Sequence, residues 1–298
     1  MKKYKMSKKT VIIFVIVLLL IAWAVRDMMI NMESPKEPFI PSGTYSVEYI
    51  DVGQADCIYI TNQEETMLID AGNNEDGELV CDYLENKGVK TIDYLIGTHP
   101  HEDHIGGLDN VIDTFEIENI YMPDVSADTK TYDDVLDSAK SKNMDIESPK
   151  VGDKWELGNA KCEVLSSSTA EDKSNLNEWS IVIYMQIGEV TFMFTGDCES
   201  GTEKNILDLH KDIDTTYYKV AHHGSSTSNT KEFLKEVNPQ TSIISSGKDN
   251  SYGHPHKEVL KELEKYGDVY RTDKDGTVIV TTNGESSEIS TVKTNTNG

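Results

Sequence analysis

The chain has 298 residues, 37% of them hydrophobic, which is enough to bury the core of one large domain. Its 28 Lys and Arg stand against 52 Asp and Glu, a net charge of −24. Such a surface repels nucleic acid and anionic lipid at long range, so no tight non-specific nucleic-acid binding is expected of the domain as a whole.

The N-terminus departs from this acidity. Lys2, Lys3, Lys5, Lys8 and Lys9 precede an unbroken apolar run from Val11 to Val25, closed by Arg26 and Asp27. We read residues 1–9 as a cytoplasmic basic segment, 10–30 as a transmembrane anchor or signal peptide, and 31–43 as a linker. The run is somewhat short against the roughly 20 apolar residues of a spanning helix. Ala22-Trp23-Ala24 meets the small-x-small rule for signal cleavage. Lysines ahead of such a run stay in the cytoplasm. The expectation is a single-pass protein of the cell membrane with its C-terminal domain extracellular, or a secreted protein if the segment is cut.

Core-forming segments then continue without a linker over residues 44–284, read as one domain, with a polar tail at 285–298. Tyr45, Val47 and Tyr49 alternate with polar residues as in a strand, and 57–60 and 67–69 continue a meander. Leu79, Val80, Tyr83 and Leu84 share one helical face, which Gly88 ends. Helices are predicted over Leu108–Thr114 and 132–141, and a strand over 120–122. In the second half, 180–187 and Val190–Phe194 read as a hairpin about Gly188-Glu189. Strands at 217–221, 242–245 and 277–281 alternate with helices at 199–210, Lys231–Val237 and 256–266. Strands followed by helices, twice over, predict an α+β protein of two mixed sheets packed face to face with helices outside. Cys57, Cys81, Cys162 and Cys198 show no CxxC spacing and lie mostly in apolar contexts, which favours buried thiols over disulfides.

The chemistry concentrates in Thr98-His99-Pro100-His101-Glu102-Asp103-His104-Ile105-Gly106-Gly107, directly after an apolar run. A tight strand-to-helix turn lets these side chains point at one spot. Neutral imidazole and carboxylate hold zinc and similar ions while leaving positions open for water, as a hydrolytic metal site requires. Other histidines are also clustered, His222 with His223 and His254 with His256, whereas His210 sits alone at a helix end and receives no role. Asp70 ends a strand and is placed to orient a ligand histidine through its second nitrogen, or else begins the turn before Gly72. Lys219 has two readings, a contact to a substrate phosphate or a salt-bridged strand lysine. His254, with an ordinary pKa near neutrality, is a candidate to protonate a leaving group. Pro255 is suited to begin a helix, which makes His256 an ordinary first-turn residue.

Asp51-Val52-Gly53-Gln54-Ala55-Asp56, Leu68-Ile69-Asp70-Ala71-Gly72, the His99 to His104 cluster, Phe194-Thr195-Gly196-Asp197, Lys219-Val220-Ala221-His222-His223-Gly224-Ser225, Tyr252-Gly253-His254-Pro255-His256 and Thr272-Asp273-Lys274-Asp275-Gly276 follow in that order. Together, over about residues 44–282, they resemble the metallo-β-lactamase-fold hydrolases, in the branch similar to the exported hydrolase domain of the ComEC competence protein. The resemblance implies an αβ/βα four-layer sandwich carrying two divalent ions at its rim. By it, His99 and His101 bind the first ion, Asp103 and His104 the second, Asp197 bridges, and His222 completes the second. His222 and His223 cannot both point into the site if the segment is extended, because neighbouring side chains alternate, and of the two His222 is favoured. The amides of Gly224 and Ser225 would be free to meet an anionic group.

One departure matters. Many superfamily members supply a third histidine to the first ion just before the strand leading to the bridging Asp, and Asn175-Leu176-Asn177-Glu178-Trp179-Ser180 contains none. That ion is left to water, Asn177 or Glu178, and oxygen-rich ligation makes manganese a rival to zinc. The implied activity is that of an exported or membrane-anchored metal-dependent hydrolase. A phosphodiesterase acting on nucleic acid or a cell-wall phosphodiester through a hydroxide generated at the metals fits best. The alternatives are a hydrolase of a lactam, lactone or thioester, and a membrane-tethered binding module with a relic site.

Overall fold

Apolar residues at alternate positions split each central strand between two cores, and that alternation builds the layers. The protein is described by a computed structural model over residues 43–167 and 174–293. The basic N-terminus and its apolar run lie outside the described residues, as does almost all of the linker. No described helix is long and apolar enough to cross a membrane.

The first sheet contains β1 (Tyr45–Tyr49), β2 (Cys57–Thr61), β3 (Thr66–Ala71), β4 (Thr91–Ile96), β5 (Glu116–Tyr121), β6 (Ile146–Glu147), β14 (Thr277–Thr282) and β15 (Ser287–Val292). Its order is β15-β14-β1-β2-β3-β4-β5-β6, antiparallel as far as β3 and parallel from β3 to β6. The second contains β7 (Lys154–Leu157), β8 (Ala160–Ser166), β9 (Val182–Ile187), β10 (Val190–Phe194), β11 (Tyr217–Lys219), β12 (Thr241–Ile244) and β13 (Asp268–Arg271), in the order β13-β12-β11-β10-β9-β8-β7. The helices are α1 (Gly77–Asn86), α2 (Glu102–Ile105), α3 (Leu108–Thr114), α4 (Lys130–Ser141), α5 (Ser200–Leu209), α6 (Lys231–Val237), α7 (Lys257–Leu263) and α8 (Thr272–Asp275).

Met67 and Ile69 of β3 face the second sheet, where they meet the same core as Ile183, Met185, Phe192 and Phe194, while Leu68 between them joins the helical side. On that outer side Val80 and Leu84 of α1, Val111 and Ile112 of α3 and Val135 of α4 cover Leu68, Leu95 and Ile120. Across the molecule Ile206 of α5, Phe233 and Leu234 of α6 and Val259 and Leu263 of α7 cover Val182, Met193 and Ile244. Three apolar cores between four layers give the expected αβ/βα sandwich of two mixed sheets with helices outside.

The structure corrects the sequence expectations in places. The residues read as a polar tail from 285 include β15, which pairs with β14 along its whole length. Its residues are mostly exposed, so no buried face marks the strand in the sequence. Strands β7, β8 and β13 were not anticipated either; three of the four residues of β13 are half-buried and show no alternation. All four cysteines are free and buried, and Cys198 lies in the core beneath the second sheet rather than in the site.

Candidate metal centre

The parallel strands β3 and β4 end side by side, and the chain leaving β4 turns through Thr98 to His101 into α2. Gly106 and Gly107 let that turn sit directly on the end of β3. A Cβ on Gly106 would lie 2.2 Å from the backbone of Asn73 and Asn74, and one on Gly107 would lie 2.5 Å from the Ala71 carbonyl oxygen. Asp70, in the left-handed region at φ +59, brings its carboxylate beneath the turn. There it accepts from the amide and hydroxyl of Thr98 at 2.7 and 2.8 Å and from Nδ1 of His104 at 2.8 Å. With its Nδ1 proton held by Asp70, His104 presents Nε2 outward.

His104 Nε2 lies 3.2 Å from Asp197 Oδ1. Both atoms are buried and neither has a hydrogen-bond partner. Asp103, His104, Asp197 and His223 each offer a ligand atom within 4.8 Å of the others. Beside them His99 Nε2 and His101 Nδ1 face one another at 2.9 Å. Imidazole and carboxylate donors that converge in a buried cluster, with atoms left outside hydrogen-bond geometry, fit a divalent cation.

The electrostatics divide the cluster in two. Burial opposes charge on His104, but Asp197, Asp70 and Asp103 outweigh it and hold its pKa well above the ordinary value. Burial likewise opposes charge on His223, and Asp197 and Asp56 raise it. The carboxyls respond in kind: burial alone would raise Asp197 and Asp103, yet His223 and His104 pull the first well below its usual range and His104 and His223 pull down the second. This half of the cluster favours positive charge, whether proton or metal. His99 and His101 are pushed below the ordinary value, first by burial, and so are neutral.

The structure places the His222-His223 pair differently from the extended segment expected. Both residues are left-handed, at φ 51 each, so the alternation argument does not apply. His223 is buried, donates from Nδ1 to the Ser245 carbonyl oxygen at 3.0 Å, and turns Nε2 to within 3.2 Å of Asp103. His222 stands at the edge, its Nε2 3.6 Å from Asp197 and its Nδ1 3.4 Å from Glu199. It is thus His223 that joins Asp103, His104 and Asp197, with His222 adjacent. Two successive left-handed residues are costly, about 1–3 kcal/mol each. Asn229 braces the turn: its Oδ1 accepts from the Ala221 amide at 3.2 Å, and its Nδ2 donates to the carbonyls of Ala221 and Ser225. The Ser225 amide is bonded to the His222 carbonyl at 2.7 Å and is not free to meet an anion.

Lys219 is corrected as a substrate contact. It is fully buried, its Nζ 2.7 Å from Asp56 and 3.0 Å from the Val220 carbonyl oxygen, and so is the salt-bridged strand lysine. Asp56 also lies 3.4 Å from Nδ1 of His223. Sequence reasoning quoted Asp56 in a motif without giving it a role. Its proximity to both Lys219 and His223 depends on β11 lying opposite the loop after β1, which local pattern does not reveal.

The stretch that lacks a histidine is a 3-10 turn, Leu176–Trp179. Glu178 accepts from the amides of Gly201 and Thr202 and so caps the start of α5 instead of facing the cluster. Asn177 lines the pocket, and its buried Oδ1 has no partner. The pocket, about 340 Å³, is also lined by His101, Asp103, Asp197, His222, His223 and His254. Burial, then His223 and His222, lowers the pKa of His254 to about 4, so its ring is neutral at pH 7. His256 accepts from the Ser226 amide at Nδ1 and holds the loop together.

Residues 50–248 match the Metallo-beta-lactamase superfamily. The chain is 33% identical over 251 residues to ComE operon protein 3 of Bacillus subtilis, covering 78% of the chain and 32% of that protein. It is 27% identical over 228 residues to Recombination protein 2 of Haemophilus influenzae, covering 75% and 27%. The chain therefore spans about a third or less of these relatives. In fold it is similar to the metallo-beta-lactamase fold protein YhfI of Bacillus subtilis, with a TM-score of 0.50 at 14% identity over 79% of this chain and 99% of that one. The chain belongs to the metallo-β-lactamase superfamily, in the branch that resembles the ComEC-type competence proteins.

Proposed function

We propose that the protein is a metal-dependent phosphodiesterase acting outside the cell membrane on nucleic acid or a cell-wall phosphodiester. The observation that carries this reading is the buried convergence of His104 Nε2 and Asp197 Oδ1, 3.2 Å apart and outside hydrogen-bond geometry, beside His99 and His101. Asp103, His104 and His223 would hold one divalent ion, His99 and His101 the other, with Asp197 between them and Asn177 Oδ1 available to the less fully liganded side. Zinc or manganese there would lower the pKa of a bound water and offset charge on a phosphoryl oxygen. The chain's own residues orient the site: Asp70 fixes the tautomer of His104, and the Ser245 carbonyl fixes that of His223. His254, on the pocket wall, is placed to move a proton to the leaving oxygen, and an anionic substrate beside it supports the charged form. A matched relative named for recombination favours nucleic acid over a wall polymer.

Bis(4-nitrophenyl) phosphate, single-stranded DNA, a phosphorylcholine diester and a β-lactam, offered with zinc or manganese, form the test. Phosphodiester turnover without lactam turnover is expected. His254→Ala should leave metal content intact and slow a poor leaving group by about 10²–10⁴-fold, with little effect on nitrophenolate release. Lactam turnover alone would replace the reading by its alternative, and bound metal with no turnover of any substrate would make the protein a binding module.

The placement outside the membrane rests on the lysines before Val11. Protease added to intact cells should remove a C-terminal epitope and spare one ahead of Val11; a protected C-terminus reverses the orientation.

A further inference from the structure

The pocket over the histidine cluster opens on one side. Gln54, Glu102, Asp103 and Tyr252 line both it and a second cavity of about 1040 Å³, roughly three times larger. A ligand that is no more than one phosphate and its two esters does not need this trough.

Tyr252 stands at the junction. One face of its ring stacks on His254, with centroids 5.6 Å apart and planes 22° from parallel. The residue is nevertheless 67% exposed, so the other face is open. Leu79, also exposed, lines the same trough. An exposed aromatic ring held in place by a stacked neighbour is a platform for another planar ring.

The charges of the trough narrow the ligand further. Lys248, Lys274 and Lys293 line it, and none of the three is ion-paired among the described residues. Carboxylates outnumber them on the walls: Asp51, Glu75, Asp76, Glu102, Asp103 and Asp273 also line it, and of these Asp273 is paired with Arg271 at 2.6 Å. The trough is therefore of mixed charge, with discrete points for a phosphate but no continuous basic groove. A duplex, with one charge per roughly 1.7 Å of axis and its ring faces already stacked, gains little here. A single strand can place a ring on Tyr252 and a phosphate near a lysine, and so offset the repulsion from the walls.

We propose that the trough is the subsite for the chain on one side of the scissile phosphate, and that Tyr252 selects an unpaired, ring-bearing strand by stacking the first ring beyond that phosphate. This rests on the phosphodiesterase reading, but its test does not require turnover. Binding of a fluorescent dT hexamer and of a hexamer of abasic tetrahydrofuran phosphates to the full chain is measured in EDTA by anisotropy. The dT strand should bind about five- to a hundredfold more tightly. Tyr252→Ala should erase that preference and Tyr252→Phe should keep it, with unchanged melting temperatures marking intact folds. Equal affinity for the two strands, binding of neither, or a preference that survives Tyr252→Ala overturns the inference. Poly(glycerol phosphate) binding as tightly as dT would overturn it too, assigning the trough to ring-free polymers. Hydrolysis of bis(4-nitrophenyl) phosphate is scored separately: its absence alongside ring-selective binding removes the phosphodiesterase reading and the scissile phosphate with it, and leaves only the trough as a single-strand binding site with Tyr252 as its stacking residue.

Discussion

Replacing His104 or Asp197 with alanine should remove divalent metal and abolish hydrolysis together. His104 Nε2 and Asp197 Oδ1 are buried and face each other at 3.2 Å within the cluster that also holds Asp103 and His223, so losing either takes a donor out of its middle. An ion held there would supply the chemistry by activating water, so turnover should fall with occupancy and not merely with affinity for substrate. Asp70→Asn is the graded control. It keeps the shape beneath His104 but weakens the acceptor at Nδ1, and metal affinity should drop by about 10–100-fold. His223→Ala should follow the His104 variant, and His222→Ala should retain more metal, because only His223 lies among Asp103, His104 and Asp197. Elemental analysis after gel filtration, with calorimetric titration of zinc and manganese, reads each outcome. Full occupancy in His104→Ala and Asp197→Ala would remove these residues from the ligand set.

Much of this geometry was legible because the candidate ligands follow apolar runs. Met67 to Ile69 and Tyr94 to Ile96 announce adjacent strands, and the residues just beyond them, Asp70 and the His99 to His104 cluster, fall at neighbouring strand ends. What escaped the sequence depends on backbone conformation or on contacts remote in the chain. Nothing local says that His222 and His223 both turn left-handed, and that turn decides which ring enters the cluster. Asn229 reads as a loop residue, yet its amide ties the carbonyls at both ends of that turn. The edge strand β15 was hidden for a different reason, since a strand without a buried face has no apolar alternation to show.

The choice between the two readings of Lys219 turns on the same kind of remote contact and yields the second large effect. In a protein of net charge −24 a lysine beside the histidine motif suggests an anion contact, but β11 carries it into the interior, where its ammonium meets Asp56 at 2.7 Å. Removing one member of a buried pair leaves the other charge without compensation, at a cost of about 3–5 kcal/mol. Lys219→Met should therefore lower the melting temperature by roughly 10 °C, taking about 2–4 °C per kcal/mol for a domain of this size. Replacing both members with apolar residues, Lys219→Met with Asp56→Leu, should recover most of that loss, because neither charge is then stranded. Metal affinity should not recover with it. Asp56 also lies 3.4 Å from Nδ1 of His223 and 3.9 Å from Nδ1 of His104, so its loss releases a constraint on both rings. Thermal melts of the metal-free single and double variants, paired with zinc titrations, separate the two effects. A Lys219→Met variant that melts like the wild type but binds phosphodiesters weakly would restore Lys219 as a substrate contact and contradict its burial.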